Sequence, residues 1–189
     1  MKYTRRFGGS FKWLDCGIFL LKPLLIAFLI TSQAYALPQT GTEAAVKTAF
    51  LFNFFKFIEW PNDLAQDTFV LCMAYEDDLG TTLRALEEKT INEKPVLIHR
   101  DVTGVELKNC HIIYITGGAH LEAVIAQVKD LPIVTVSEQA DFLKQGGIIN
   151  LVADNNRLGF SINLAQANKL GLHFSAKLLK LAKHVVASE

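Results

Sequence analysis

"HIIYITGGAH", residues 111–120, sets five β-branched or aromatic residues, Ile112 to Thr116, in a row and follows them with two glycines. A run that is apolar at successive positions buries both of its faces, as a strand does inside a sheet covered by helices on both sides. Gly117 and Gly118 then let the chain leave the strand and open a helix over 119–129. The same alternation extends outward in both directions. "TFVLCMA" (68–74), "KPVLI" (94–98) and "IVTV" (133–136) read as strands, and helical segments fall near 79–88 and 138–144. Strands alternating with helices describe an α/β domain with a largely parallel sheet.

Past residue 145 the alternation breaks. "GGIINLVADNNRLGFSIN" (146–163) holds two β-type runs around Asn155 and Asn156, a pair that tolerates the positive φ of a hairpin turn. The expectation is an antiparallel hairpin closing one edge of the sheet. Asn163 stands where it can cap a helix over 164–170, with Gly171 past its end, and Ser175 where it can cap a last helix over 176–186. The expected architecture is a single three-layer Rossmann-like domain: a mostly parallel sheet flanked by helices, with a C-terminal antiparallel hairpin.

Half of the 189 residues are hydrophobic and the formal charge is zero, enough for one domain with a real core. The charge is uneven. Residues 1–36 carry Lys2, Arg5, Arg6, Lys12 and Lys22 against Asp15 alone, and lead into the apolar run "PLLIAFLI" (23–30) and the small residues Ala34 and Ala36. This is the pattern of a secretory signal peptide cleaved after Ala36, leaving 37–189 as the domain, in the periplasm. An uncleaved anchor would need roughly 20 apolar residues, and Lys22 with Pro23 interrupts the run. Cys16 would leave with the leader. Cys72 and Cys110 remain, in a compartment that permits a disulfide, the alternative being two buried thiols.

"AVKTAFLFNFFKFIEWP" (45–61) packs six aromatic rings into one helix, with Thr40 and Glu43 at capping-box spacing before it and Pro61 stopping it. Val46, Phe50, Phe54 and Phe57 form one stripe; Leu51, Phe55 and Ile58 form a second, beyond Lys47. A surface helix needs one apolar stripe. Either both stripes are core, wedged between the sheet and the C-terminal helix, or the second stripe with Phe52 stays exposed as a subunit or partner contact. Leu51, Phe52, Phe55 and Ile58 are the candidates.

Machinery for catalysis is hard to find. No two of His99, His111, His120, His173 and His184 have metal-pair spacing, no Gly-x-Ser-x-Gly elbow occurs, and no Gly-rich loop matches a nucleotide fingerprint, so neither a metal nor a cofactor is expected. Gly117 and Gly118 are candidates for anion contact at a helix start. Asp77 and Asp78, beyond the first strand, are candidates at the strand ends where open α/β sheets bind ligands. The acidic balance after residue 36 leaves no footprint for nucleic acid.

Residues 45–61 resemble the opening signature of the YfiR family of periplasmic proteins through Val46, Lys47, Phe50, Asn53, Phe57, Trp60 and Pro61. "FVLCMA" with Cys72, "NCHIIYI" with Cys110 and the stretch 146–182 fall in the same register, so the resemblance runs over 43–182. It implies a dimeric periplasmic α/β domain without catalytic residues that represses an inner-membrane diguanylate cyclase by binding its periplasmic region. An outer-membrane OmpA-like lipoprotein relieves that restraint, and cyclic di-GMP synthesis and biofilm formation rise. The resemblance also implies a Cys72–Cys110 disulfide; a second cysteine pair near the 146–156 hairpin, present in some members, is missing here. The alternative function is a periplasmic small-ligand sensor domain coupled to another membrane sensor or transporter.

Overall fold

The computed structural model describes residues 42–61, 67–76, 78–154 and 157–188, all within one compact unit, Gly41–Glu189. The leader and its cleavage point, Thr40, Asp77 and the Asn155–Asn156 turn lie outside the described residues. Among the described residues no helix is long and apolar enough to cross a membrane.

Helix α1 (Glu43–Phe57) starts one step from where capping-box spacing places it. Thr42 is the N-cap, its hydroxyl accepting from the Ala45 N–H at 3.4 Å, and Glu43 already lies in the first turn. At Ile58 the backbone becomes extended and forms β1 (Ile58–Glu59). Next come β2 (Phe69–Ala74), a 3-10 turn (Gly80–Leu83), the one-turn helix α2 (Arg84–Glu87), β3 (Thr90–Ile91) and β4 (Lys94–Val102). A second 3-10 turn (Gly104–Asn109) precedes β5 (Ile112–Ile115), α3 (Leu121–Val128) and β6 (Val134–Ser137). The chain ends with β7 (Ile149–Asp154), β8 (Arg157–Asn163), α4 (Leu164–Lys169), β9 (His173–Phe174), α5 (Ala176–Leu181) and β10 (His184–Val186).

The sheet has eight strands in the order β10-β8-β7-β6-β5-β2-β4-β3, and its centre, from β4 to β7, is parallel. Alternate residues of the central strands enter two cores. Leu71, Met73, Ile112 and Tyr114 meet α1, while Val70, Cys72, Ala74, Ile113 and Ile115 meet α3 and Phe142. The three-layer expectation is therefore met: helix, sheet, helix. Cys72 and Cys110 are disulfide-bonded on the α3 side, their Cα atoms 5.9 Å apart and 38 residues separated in sequence. Closing such a loop limits the unfolded chain and is worth about 4 kcal/mol.

Three expectations give way. Residues 138–144 form turns rather than a helix, because Asp141 takes φ 59° and Phe142 drops its ring into the second core, flush against Gly147. The last helix stops at Leu181, and its expected remainder becomes β10, parallel to β8. The β7–β8 hairpin does pair antiparallel from Ile149↔Ile162 to Asp154↔Arg157, but β10 lies outside it and takes the edge. Both predicted caps hold: Asn163 accepts from Gln166 N–H at 3.0 Å and Ser175 from Leu178 N–H at 3.2 Å.

Candidate functional site

Helix α1 decides what the surface offers. Leu51, Phe55 and Ile58 are 0, 2 and 4 % exposed, so the stripe read as a contact surface belongs to the core of this chain. Phe55 stacks near Trp60 and Phe69 (centroids 5.8 and 5.3 Å), and Phe54 on the other stripe meets Phe160 edge-on at 5.3 Å. Burying one such ring is worth roughly 1.5–3 kcal/mol, which is why the sheet and the C-terminal elements claim both stripes. Phe52 alone among those four residues borders open space.

That space is a groove of about 530 Å³ between α1 and the segment ending in α2. Ala45 and Ala49, one turn apart, leave room on the α1 side; Thr82, Ala85 and Leu86 form the other wall. The walls are tied by a 2.7 Å hydrogen bond between the hydroxyls of Thr48 and Thr82. At the mouth, the ammonium groups of Lys56 and Lys89 stand 4.5 and 5.4 Å from the centre of the Phe52 ring. Among the described residues neither lysine has a carboxylate within ion-pair distance. The groove therefore combines a small-residue floor, one ring and two cations not paired with carboxylates. Ala45 and Ala49 at helical spacing were the available signal for it in the sequence, hidden by the rings around them.

A second region lies at the carboxyl ends of the strands. From β2 the chain crosses to β4 on one side, and from β5 to β6 on the other, so the ends of β2 and β5 form the crevice where open α/β sheets hold ligands. The loops after these strands are linked. The Thr116 hydroxyl donates to the Glu76 carbonyl at 2.8 Å, and the Tyr75 and His120 rings stack with centroids 3.8 Å apart. Tyr75 holds φ 64°, an uncommon conformation for a bulky residue. Gly117, at φ 66°, needs glycine's freedom and faces open space, and Gly118 lies beside the Gln139 side chain. Asp78 and the two glycines thus come from the loops at this end of the sheet.

On the α1 side of the same end sits a buried lysine that sequence reading passed over as a gap between stripes. Lys47, 8 % exposed, bonds Glu43 at 2.8 Å and Glu138 at 2.7 Å. Glu138 also accepts from the hydroxyl of Tyr114, which rises from β5. Burial pulls the Lys47 ammonium down, but Glu138 and Glu43 outweigh it and hold the group above its ordinary value. Glu43 is lowered by its bond to Lys47. Burial raises Asp78 against the attraction of Lys47, and burial with the Glu138 bond keeps the Tyr114 phenol neutral well beyond its usual range. Lys47, Glu43, Glu138 and Tyr114 are each bonded to another of the four, and together they tie the start of α1 to the ends of β5 and β6. Among the described residues no group of three or more His, Cys, Asp or Glu is placed to hold a metal ion.

Comparison with known proteins adds three findings. Residues 44–183 match the family described as YfiR/HmsC-like. No curated protein matches the chain. Among solved structures, a conserved domain protein from Vibrio cholerae O1 biovar El Tor is similar at TM-score 0.52 and 10 % identity, over 76 % of this chain. This chain spans 60 % of that one, and the likeness speaks to the fold alone. An ABC domain in complex with L-Trp from Streptococcus pneumoniae overlaps 62 % of this chain and 55 % of its own, at 13 % identity and TM-score 0.43, too loosely to bear on the fold.

Proposed function

The chain belongs to the YfiR/HmsC-like family, and from that premise we propose a non-enzymatic periplasmic regulator that restrains an inner-membrane diguanylate cyclase by binding its periplasmic region. An outer-membrane OmpA-like lipoprotein competes for the regulator and releases the cyclase, raising cyclic di-GMP and biofilm formation. The regulator acts as a homodimer, is exported, and loses its leader after Ala36. Stoichiometric binding is sufficient for such a role, since each 1.4 kcal/mol of preference for one state of the partner shifts its equilibrium about tenfold.

The observation that carries this reading is the groove beside Phe52. It supplies an apolar socket with two cations at its mouth, whereas the Lys47 cluster is closed on itself. The contact surface is accordingly assigned to Ala45, Ala49, Phe52, Lys56 and Lys89. Ala49→Leu fills the groove from a helical position with little change in helix propensity. It is expected to leave the fold intact, weaken capture of the cyclase periplasmic region at least about tenfold and raise cellular cyclic di-GMP. Unchanged capture and unchanged cyclic di-GMP would remove the assignment.

One observation favours a second reading, a small-ligand sensor: the left-handed Tyr75, its stack on His120 and the open side of Gly117 at the strand-end crevice. A metabolite that raises the melting temperature with concentration as RT ln(1 + [L]/Kd), and loses that effect in Gly117→Val, would establish it. A broad library without any such shift would reject it.

A further inference from the structure

Away from groove and crevice, the charges of this domain are segregated. Residues 157–189 hold Arg157, Lys169, Lys177, Lys180 and Lys183 against Glu189 alone, while residues 42–154 hold nine Lys or Arg against 17 Asp or Glu. The basic stretch folds into one margin of the domain: β8, α4, β9, α5 and the edge strand β10. On α5, Leu178 turns inward and is buried, which leaves Lys177, Lys180 and Leu181 exposed at i, i+3 and i+4, the Lys177 ammonium also standing 5.2 Å from the centre of the Phe57 ring. Leu181 is 62 % exposed. The end of the helix at this residue is the reason, because the chain turns away into β10 before another element can cover it. The stem of Lys183 then crosses β8 at Gly159, where any Cβ would collide with it, and His184 beside it is exposed.

We propose that this basic margin seats on an anionic lipid bilayer, with Lys177 and Lys180 against phosphate headgroups and Leu181 entering the boundary of the acyl chains. Charge selects the partner's sign: the margin is attracted to anions and the acidic remainder is repelled by them, so the same field that binds the protein also orients it. The exposed leucine among cations is the composition of an interfacial segment. The exposed face of one six-residue helix offers less than the ~800 Å² that a stable protein interface takes from each side. A bilayer needs no matching shape and can engage the outlying Arg157 as well. Each lysine near an anionic surface contributes about fivefold in affinity, so the margin as a whole gives reversible attachment.

The test is co-sedimentation of the protein, in the form recovered from cells, with vesicles of phosphatidylglycerol and phosphatidylethanolamine and, separately, of phosphatidylcholine alone. An apolar leader, if retained, binds both kinds, so the difference between them reads the basic margin. Supporting results are preference for the anionic vesicles, loss of that preference on raising salt, at least about tenfold weaker anionic binding in Lys177→Glu/Lys180→Glu, and a smaller loss in Leu181→Ser. Because all three residues are exposed, unchanged thermal melting is expected to certify the folds of these variants, and the salt titration needs no variant. Equal binding to both vesicles, no binding to either, or anionic binding that survives charge reversal overturns the proposal. Retention on an immobilised acidic polypeptide without vesicle binding also overturns it, in favour of a protein partner. Every one of these outcomes is independent of whether Ala49→Leu affects cyclase capture.

Discussion

Two lysines on one helix have opposite fates. Lys47, in the second turn of α1, is buried between Glu43 and Glu138; Lys56, in the last turn, is exposed and lies over the Phe52 ring, with no carboxylate of the described residues within ion-pair distance. The difference follows from what the sheet places opposite each. The end of β6 delivers Glu138 to Lys47, and β5 delivers Tyr114 to Glu138, whereas α2 delivers a wall that leaves a groove beside Phe52 and Lys56. One charge therefore helps fix the helix on the sheet, and the other is left available to a partner. Burial and partnering, rather than residue type, separate the two roles.

The comparison breaks most sharply at Glu138. Glu138→Leu leaves the Lys47 ammonium with Glu43 alone, a carboxylate that is itself well exposed, and takes the acceptor from Tyr114. Removing one partner of a buried pair costs 3–5 kcal/mol; part of that is recovered here because Glu138 is partly exposed, and about 2 kcal/mol is expected in chemical denaturation. Lys47→Met removes the buried charge itself and should cost about 1 kcal/mol or less. If both variants lose the same amount, Lys47 is hydrated in the native state and the contrast with Lys56 collapses.

A smaller effect, readable as a profile against pH, sharpens the same point. The Lys47 pKa is raised in the folded state, so its contribution is complete below the ordinary lysine value of 10.5 and disappears as pH climbs through the higher folded value. Wild type should lose stability in that alkaline window more steeply than Lys47→Met, which keeps only the loss from the Tyr114 phenol, held neutral in the fold while the unfolded chain ionises it. On the acid side Glu43 and Asp78 oppose each other. Glu43 is lowered and contributes stability that is lost as pH falls below 4.5 through its folded pKa; Asp78 is raised, so its protonation as pH falls relieves a cost. Asp78→Asn should therefore steepen the acid loss by removing the compensating proton uptake, as followed by thermal melting from neutral pH downward.

Much of the frame was legible because it rests on local signals. The central strands show as β-branched runs, Asn163 and Ser175 as caps, and Cys72 with Cys110 as a pair, one within β2 and the other just ahead of the neighbouring β5. The turn at 138–144 was hidden, since its composition suits a helix and only the demand of the second core for Phe142 decides otherwise. Residues 182–186 were likewise read as helix because leucine and valine continued the period, whereas the open edge of β8 recruits them as a strand. At the strand ends, the sequence position of Asp78, Gly117 and Gly118 is enough to place them in the loops after β2 and β5. Lys47 was missed as a site because its partner Glu138 lies 91 residues on, across the fold. Leu51, Phe55 and Ile58 prove to be core for a related reason: periodicity reports how many faces of a helix are apolar, and cannot say how many neighbours the fold will bring to them.

Lys56 gives the smallest change in stability and the clearest reading of its own end of the helix. Lys56→Glu removes one cation from above Phe52 and adds an anion at the mouth of the groove, where Lys89 remains close enough to receive it. An exposed cation–π contact is worth about 0.5–1 kcal/mol, and the new pairing with Lys89 recovers part of that, so denaturation midpoints should barely move. Binding behaves differently if the partner brings carboxylates to the two lysines. Charge reversal then places like charges in apposition and lowers the association rate, with a salt dependence that weakens in the variant. Stopped-flow association with the cyclase periplasmic region at two ionic strengths measures both. A variant that binds with the wild-type rate and the wild-type salt slope would mean that Lys56 merely shields Phe52, leaving the last turn of α1 as closed to partners as the second.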